Sequence, residues 1–201
     1  MASSTNPGLA GVNAFTRPLS PADVEDCVVV ENAFPEQERC SKEKFVYRLT
    51  KCPELCLGLF IRTEEGSSVL IGHVIATRSS SNRVTDGSME MPHDWQSLAD
   101  DEVVMVNGEV IGSEPKGGSV AVHSLAITPA YQGKGVGRSL MNAYIEYIKS
   151  GAVHAERIVI IAHDHLIRFY ESVGFENRGP SACQFGGGGW FDLVCIIRGQ
   201  I

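Results

Sequence analysis

Ser119 to Thr128 (SVAVHSLAIT) is a run of apolar and β-branched residues, and Tyr131 to Gly137 (YQGKGVG) is a turn with three glycines in five positions. After it, Val136, Leu140, Ala143, Tyr144, Tyr147 and Ile148 recur at helical spacing to about Ser150. A strand that passes through a glycine turn into a helix constrains this chain more than any other feature. Glycines let the main chain pass close to an anion, and the helix N-terminus offers unpaired N–H groups and the positive end of a dipole. Gln132, Gly133, Lys134, Gly135, Val136 and Gly137 would form that cradle, with charge added by Lys134 and Arg138. The nucleotide-triphosphate loop GxxxxGK followed by Ser or Thr is absent, and the spacing here is GxGxG rather than the dinucleotide GxGxxG. The same residues would also serve a tight strand-to-helix turn that binds nothing.

The flanking sequence predicts a mixed α/β domain. Phe15 to Pro18 reads as an edge strand. Ser20 then caps a helix that opens on Pro21 and runs to about Ala33, and a second helix fits Ser41 to Lys51, closed by Pro53. Leu55–Arg62 and Val69–Arg78 read as strands about a turn at Glu64–Ser67. Residues 79–118 are irregular except for a turn signal at Asn107-Gly108, and a loop of that length in a compact domain is often functional. Arg157–Ala162 is a buried strand, Asp164 starts a helix that ends at Gly174, and Phe175–Arg178 and Trp190–Ile197 are final strands. No repeat or linker divides the chain, so the expectation is a flexible tail over 1–14 and one domain over 15–201.

Composition narrows the function. A net charge of -7 argues against nucleic acid, which needs surplus Lys and Arg, and an acidic surface suits a cationic substrate. No stretch approaches the roughly 20 apolar residues of a membrane span, and the first residues lack a signal's charged and apolar regions, so a cytoplasmic protein with no membrane partner is expected. The six cysteines make no CxxC pair, which favours buried free thiols and no metal site.

Gln132–Gly137 resembles the Q/R-x-x-G-x-G/A pyrophosphate loop of the GNAT acetyltransferases, and the order of elements is similar too: strand, two helices, three strands, helix, strand, helix, two strands. Three passages resemble the arylalkylamine (serotonin) N-acetyltransferase branch: Leu49–Leu55, His123–Ile127 and Arg168–Phe175. Fungal polyamine acetyltransferases share these features. The resemblance implies the GNAT acyl-CoA N-acyltransferase fold, a splayed central sheet flanked by helices, with residues 79–118 as a substrate-side loop. It also implies acetyl-coenzyme A as co-substrate, lying between the strands that end at Ile127 and Ala162, and a small primary amine as acceptor. Arylalkylamines of the serotonin, tryptamine or phenylethylamine type come first, and spermidine, spermine or putrescine are the alternative. A coenzyme-A-binding sensor without catalysis is the rival from another class.

Residue by residue, the resemblance places the coenzyme arm and thioester on the main chain of Leu125, Ala126 and Ile127, as a set of fixed donors. A protonated amine must lose a proton before it attacks, and the family uses two histidines on this strand. One matches His123 and the other position holds Ala121, two residues away on the same face. Tyr170 matches the tyrosine that protonates the leaving thiolate. Phe34 and Trp190 match aromatic walls of the amine pocket, and Met89, Met91, His93 and Trp95 could add contacts from the loop. His163 and His165 stand where the family has an acid and an alanine; they read as solvent-facing cap residues, or as a substitute for the partner missing at Ala121.

Overall fold

The computed structural model describes residues 7–197. Seven strands form one sheet in the order β1 (Ala14–Pro18), β2 (Leu57–Arg62), β3 (Ser68–Ser79), β6 (Ser119–Ile127), β7 (Arg157–Ala162), β9 (Phe191–Ile196), β8 (Glu176–Pro180). Every neighbouring pair is antiparallel except β6–β7, which is parallel. A small hairpin, β4 (Val104–Val106) and β5 (Glu109–Ile111), turns on Asn107 and Gly108, both at positive φ, as the Asn-Gly signal predicts. The helices are α1 (Val24–Glu31), α2 (Lys42–Lys51), α3 (Asp86–Met89), α4 (Val136–Tyr147) and α5 (Ile167–Glu171).

Local chemistry sets these boundaries. Asp23 accepts the Ser20 N–H at 2.9 Å and is held by both guanidinium nitrogens of Arg17, which fixes the entry to α1. The first turn there, Pro21–Asp23, is 3-10 rather than α. Ser41 caps α2 by accepting the Lys44 N–H, and Pro53 cannot extend it. The segment that starts at Asp164 opens as a 3-10 turn and is α-helical only over Ile167–Glu171. Inside the long loop, Thr85 caps α3, so residues 79–118 carry more regular structure than their composition suggests.

One face of the sheet packs against α4 and α5 through Val74, Ile127, Leu140, Tyr144 and Tyr170. The other packs against α1 and α2 through Val30, Phe45, Leu49, Phe60 and Ile75. A third cluster, including Val84, Met89, Val159 and Trp190, closes that second face under the loops around 85 and 185. Residues 1–6 of the expected tail and 198–201 lie outside the described residues. Pro7–Leu9 form a turn against the glycine loop, where a Cβ on Gly8 would meet Lys134 Cβ at 2.6 Å. All six cysteines are free thiols, five of them buried. No described helix is long and apolar enough to cross a membrane.

Candidate functional site

The parallel pair β6–β7 is bonded only from Ser119–Val122 to Arg157–Ile160. Beyond those residues the strands part, and the β7 side of His123–Ile127 has no ladder partner among the described residues. On its other side β6 carries a bulge: Ser124 and Val122 face consecutive residues Ile75 and Ala76, leaving His123 as the extra residue. Bulges re-aim side chains, and this one turns both His123 and Ser124 toward the α1–α2 face.

Past the end of β6 the glycine loop lines an open cavity of about 450 Å³ with Gln132, Gly133, Gly135, Gly137 and Arg138, against Leu125 and Ile127. Gly133 (φ 70°) and Gly135 (φ 78°, the N-cap of α4) take left-handed conformations that a side chain would strain. Gly135, Gly137 and Arg138, at the start of α4, line this opening, and the first N–H groups of a helix have no helical acceptor. Gln132 donates from Nε2 to the Ile127 carbonyl at 2.8 Å and ties the loop to the strand end. Among the other predicted coenzyme residues, the side chains of Ala126 and Val136 are buried in the core. The Lys134 ammonium is turned back onto the Ala130 carbonyl, and none of these three is among the residues that line the cleft.

A second cavity, of about 380 Å³, adjoins the first across Leu125, Leu166 and Tyr170, which line both. Phe34, Glu38, Met89, His123, His163 and Trp190 are among its walls. Arg39 donates from Nε to the Phe34 carbonyl at 2.8 Å and holds that turn in place. Trp190 donates from its indole N–H to the Phe185 carbonyl at 2.7 Å. The face of Trp190 is already covered: His163 stacks on it with centroids 3.9 Å apart and planes at 23°. Tyr170 sits at the junction, edge-on to Phe169 and Phe175, and its hydroxyl has no hydrogen-bond partner among the described residues. Burial pushes its pKa up, so it stays protonated at physiological pH.

His123 is bonded at both nitrogens. Met89 Sδ carries no proton, so the ring donates from Nδ1 to it at 3.2 Å, and Nε2 accepts from the Thr77 hydroxyl at 2.7 Å. Desolvation, with the positive charges of Arg48 and Lys44, holds its pKa well below the usual value and keeps the ring neutral. Beneath it lies a buried polar set. Glu31 Oε2 accepts from Ser124 at 2.8 Å and from His73 Nε2 at 3.0 Å, and Oε1 accepts the Cys40 N–H at 2.9 Å. Burial alone would raise the Glu31 pKa; these bonds outweigh it and hold the carboxylate below its ordinary value. No group of three His, Cys, Asp or Glu able to hold a metal occurs among the described residues.

The structure thus brings Phe34, His123, Leu125, Tyr170 and Trp190 to one place and the glycine loop beside it. Of the loop residues weighed, Met89 reaches the site, Trp95 packs against Tyr47, and His93 is exposed. Sequence reasoning missed Glu38 and Thr77, and read His163 first as a solvent-facing cap residue and second as a substitute for the partner missing at Ala121. The available signal for Glu38 was its place four residues after Phe34, and for Thr77 its alternation with Ile75 on β3.

Serotonin N-acetyltransferase of Mesocricetus auratus is 29% identical over 150 residues, 75% of this chain and 59% of the relative. That of Macaca mulatta is 30% identical over 153 residues, 76% of this chain and 61% of the relative. The chain therefore spans about three fifths of the length of these relatives. Among solved structures, the GphF GNAT-like decarboxylase in complex with isobutyryl-CoA superposes with a TM-score of 0.65 at 16% identity, over 92% of this chain and 100% of the other, a likeness of fold. The family model of the acetyltransferase (GNAT) domain matches residues 62–189, and with the splayed sheet and glycine loop in place the chain belongs to that family.

Proposed function

We infer that this chain transfers the acetyl group of acetyl-coenzyme A to the primary amine of a small molecule. The observation that carries the reading is the meeting of two cavities at Leu125, Leu166 and Tyr170, one backed by a glycine loop and the other walled by aromatics. The pyrophosphate would rest on the main chain of Gln132–Arg138, and the pantetheine arm would pair with the free side of β6 at Leu125–Ile127. The thioester would then lie beside Tyr170. Amine and thioester held in adjoining cavities react as one unit, which supplies much of the rate. The amine attacks the carbonyl carbon directly, donors on the β6 main chain stabilise the oxyanion, and Tyr170 gives its proton to the departing thiolate. For the amine's own proton the cavity offers two imidazoles, His123 on β6 and His163 across from it.

The Phe34 and Trp190 walls and the serotonin N-acetyltransferase relatives favour an arylalkylamine. A specific observation favours the second reading, a polyamine: the Glu38 carboxylate lines the cavity and His163 covers the indole face, so an aliphatic cation fits there as well as a second ring. Free-thiol release measured with tryptamine, 2-phenylethylamine, putrescine and spermidine decides between them. Turnover with the aromatic amines at least tenfold above the polyamines is the expected outcome. Tight coenzyme binding with no amine-dependent thiol release would instead identify a sensor.

A further inference from the structure

Resting on that reading, we propose that His163 is the group that takes the proton from the substrate ammonium, with Glu38 as its positioning residue, and that this pair serves the role left open by Ala121. Ala121 lies in the core against Val159 and Ile161, so no polar group stands at that point of β6. The imidazole on the opposite wall differs from His123 in each property a proton acceptor needs.

The first is access. His123 has both nitrogens engaged, and its lone pair is capped by the Thr77 hydroxyl, itself buried. Among the described residues His163 bonds through one nitrogen, to Glu38 Oε1 at 3.2 Å, and its side chain is 31% exposed, which lets a captured proton pass to water. Since a carboxylate accepts, Nε2 carries the hydrogen and Nδ1 keeps the lone pair.

The second is charge. Arg48 and Lys44 disfavour a protonated His123. No lysine or arginine is among the groups lining the cavity around His163. Glu38 comes from the 36–38 turn, Asp164 and His165 from its own segment, and the Trp190 indole from the loop before β9, with Tyr170 and His123 across the cavity. Glu38 is the carboxylate hydrogen-bonded to its ring, and the indole covers one ring face.

The third is construction. Gly186, at φ 60°, packs so close to the 36–38 turn that a Cβ there would meet Glu38 Cγ at 3.2 Å. The glycine run 186–189 thereby lets that turn seat its carboxylate, which is 15% exposed, beside His163. The balance is simple. The ammonium gives one proton to His163 Nδ1 and the freed nitrogen lone pair forms the bond to the acetyl carbon. The carbon–sulfur pair leaves with the thiolate, which takes the Tyr170 proton, and the second N–H proton lost as the amide forms restores the phenol. His163 releases its proton to water.

The test compares two acceptors in free-thiol assays from pH 6 to 9: 2-phenylethylamine, protonated at neutral pH, and 2,2,2-trifluoroethylamine, largely neutral there. His163→Gln should lower kcat/KM for phenylethylamine at pH 7 by ~10²-fold. That deficit should shrink as pH rises, and trifluoroethylamine should lose under ~3-fold, as expected when no base is required. Glu38→Gln, which keeps the bond and removes the charge, should give a smaller loss of kcat that is likewise confined to phenylethylamine. Equal losses on both amines at every pH, in either variant, would mean packing alone and overturn the proposal. Wild-type protein that binds coenzyme A yet releases no thiol with any amine would overturn the function proposed above and this inference with it.

Discussion

The two adjoining cavities are made of different material. The cleft proposed for the coenzyme is lined largely by one continuous stretch, Leu125 to Arg138, with Leu166, Phe169 and Tyr170 opposite; there a strand frees one edge and glycines at positive φ bend the chain into a helix N-terminus. The cavity proposed for the amine is lined by residues from separate segments: Phe34 and Glu38 after α1, Met89 from the long loop, His123 from β6, His163 after β7, Trp190 before β9. A main-chain site tolerates changes of side chain but not of conformation, whereas a side-chain site is re-specified by single substitutions and depends on what lies beneath it. In this chain the amine cavity rests on a buried carboxylate, Glu31, and the coenzyme cleft does not.

That contrast is broken most severely by removing the carboxylate. Glu31→Ala should cost about 3–5 kcal/mol of stability by chemical denaturation, because it removes the buried carboxylate that His73 and Ser124 share and leaves them only each other. Glu31 titrates below its ordinary range in the folded protein, so its contribution is complete above the unfolded value of ~4.3 and is lost as pH falls through the folded value. Melting temperature should therefore drop on acidification in the wild type, and more gently in Glu31→Gln. A wild-type acid limb equal to that of Glu31→Gln would show that the amine side is no more dependent on buried charge than the coenzyme side.

Tyr170 belongs to both cavities, so its removal tests whether they work as one. Tyr170→Phe should lower single-turnover kcat by ~10²-fold, equivalent to about 2.7 kcal/mol, with coenzyme affinity nearly unchanged. The ring stays packed against Phe169 and Phe175, and only the hydroxyl is lost. An unchanged chemical step would remove the thiolate-protonating role.

The same division explains what the sequence alone made legible. The glycine turn, the strand before it and the helix after it are contiguous, and their chemistry follows from local conformation; β7 fell where the buried run RIVIIA predicts it. Phe34, His123, Tyr170 and Trp190 entered only through resemblance, since nothing in their spacing says that they meet. For Glu38 and Thr77 the sequence offered only a position near Phe34 and an alternation with Ile75; their roles depend on a β-bulge and on a glycine run some 150 residues further on, which are tertiary facts. His163 was visible as a residue beside a helix start, and only the stacked indole shows that it faces inward.

The coenzyme half of the contrast can be sharpened at one position. Gly135 is the N-cap of α4 at φ 78°, where an L side chain costs about 1–2 kcal/mol. Gly135→Val should weaken coenzyme A binding by ~10-fold in calorimetric titration. The amine KM, extrapolated to saturating coenzyme, should stay within ~2-fold, the mark of a loss confined to main-chain geometry. A comparable rise in amine KM would show that the two cavities are conformationally linked and not merely adjacent.

The smallest change expected is also the one that bears most on substrate choice. Phe34→Leu keeps an apolar wall of similar bulk and removes only its aromatic face. Ring stacking is worth about 0.5–1.5 kcal/mol beyond area, so the KM for 2-phenylethylamine should rise by roughly 3- to 10-fold. Putrescine, which needs apolar contact and a carboxylate but no ring partner, should change by less than ~2-fold, since Glu38 is untouched. If putrescine suffers as much as phenylethylamine, Phe34 holds cations by its face rather than rings by stacking. The cavity would then be better described by its carboxylate than by its aromatic walls.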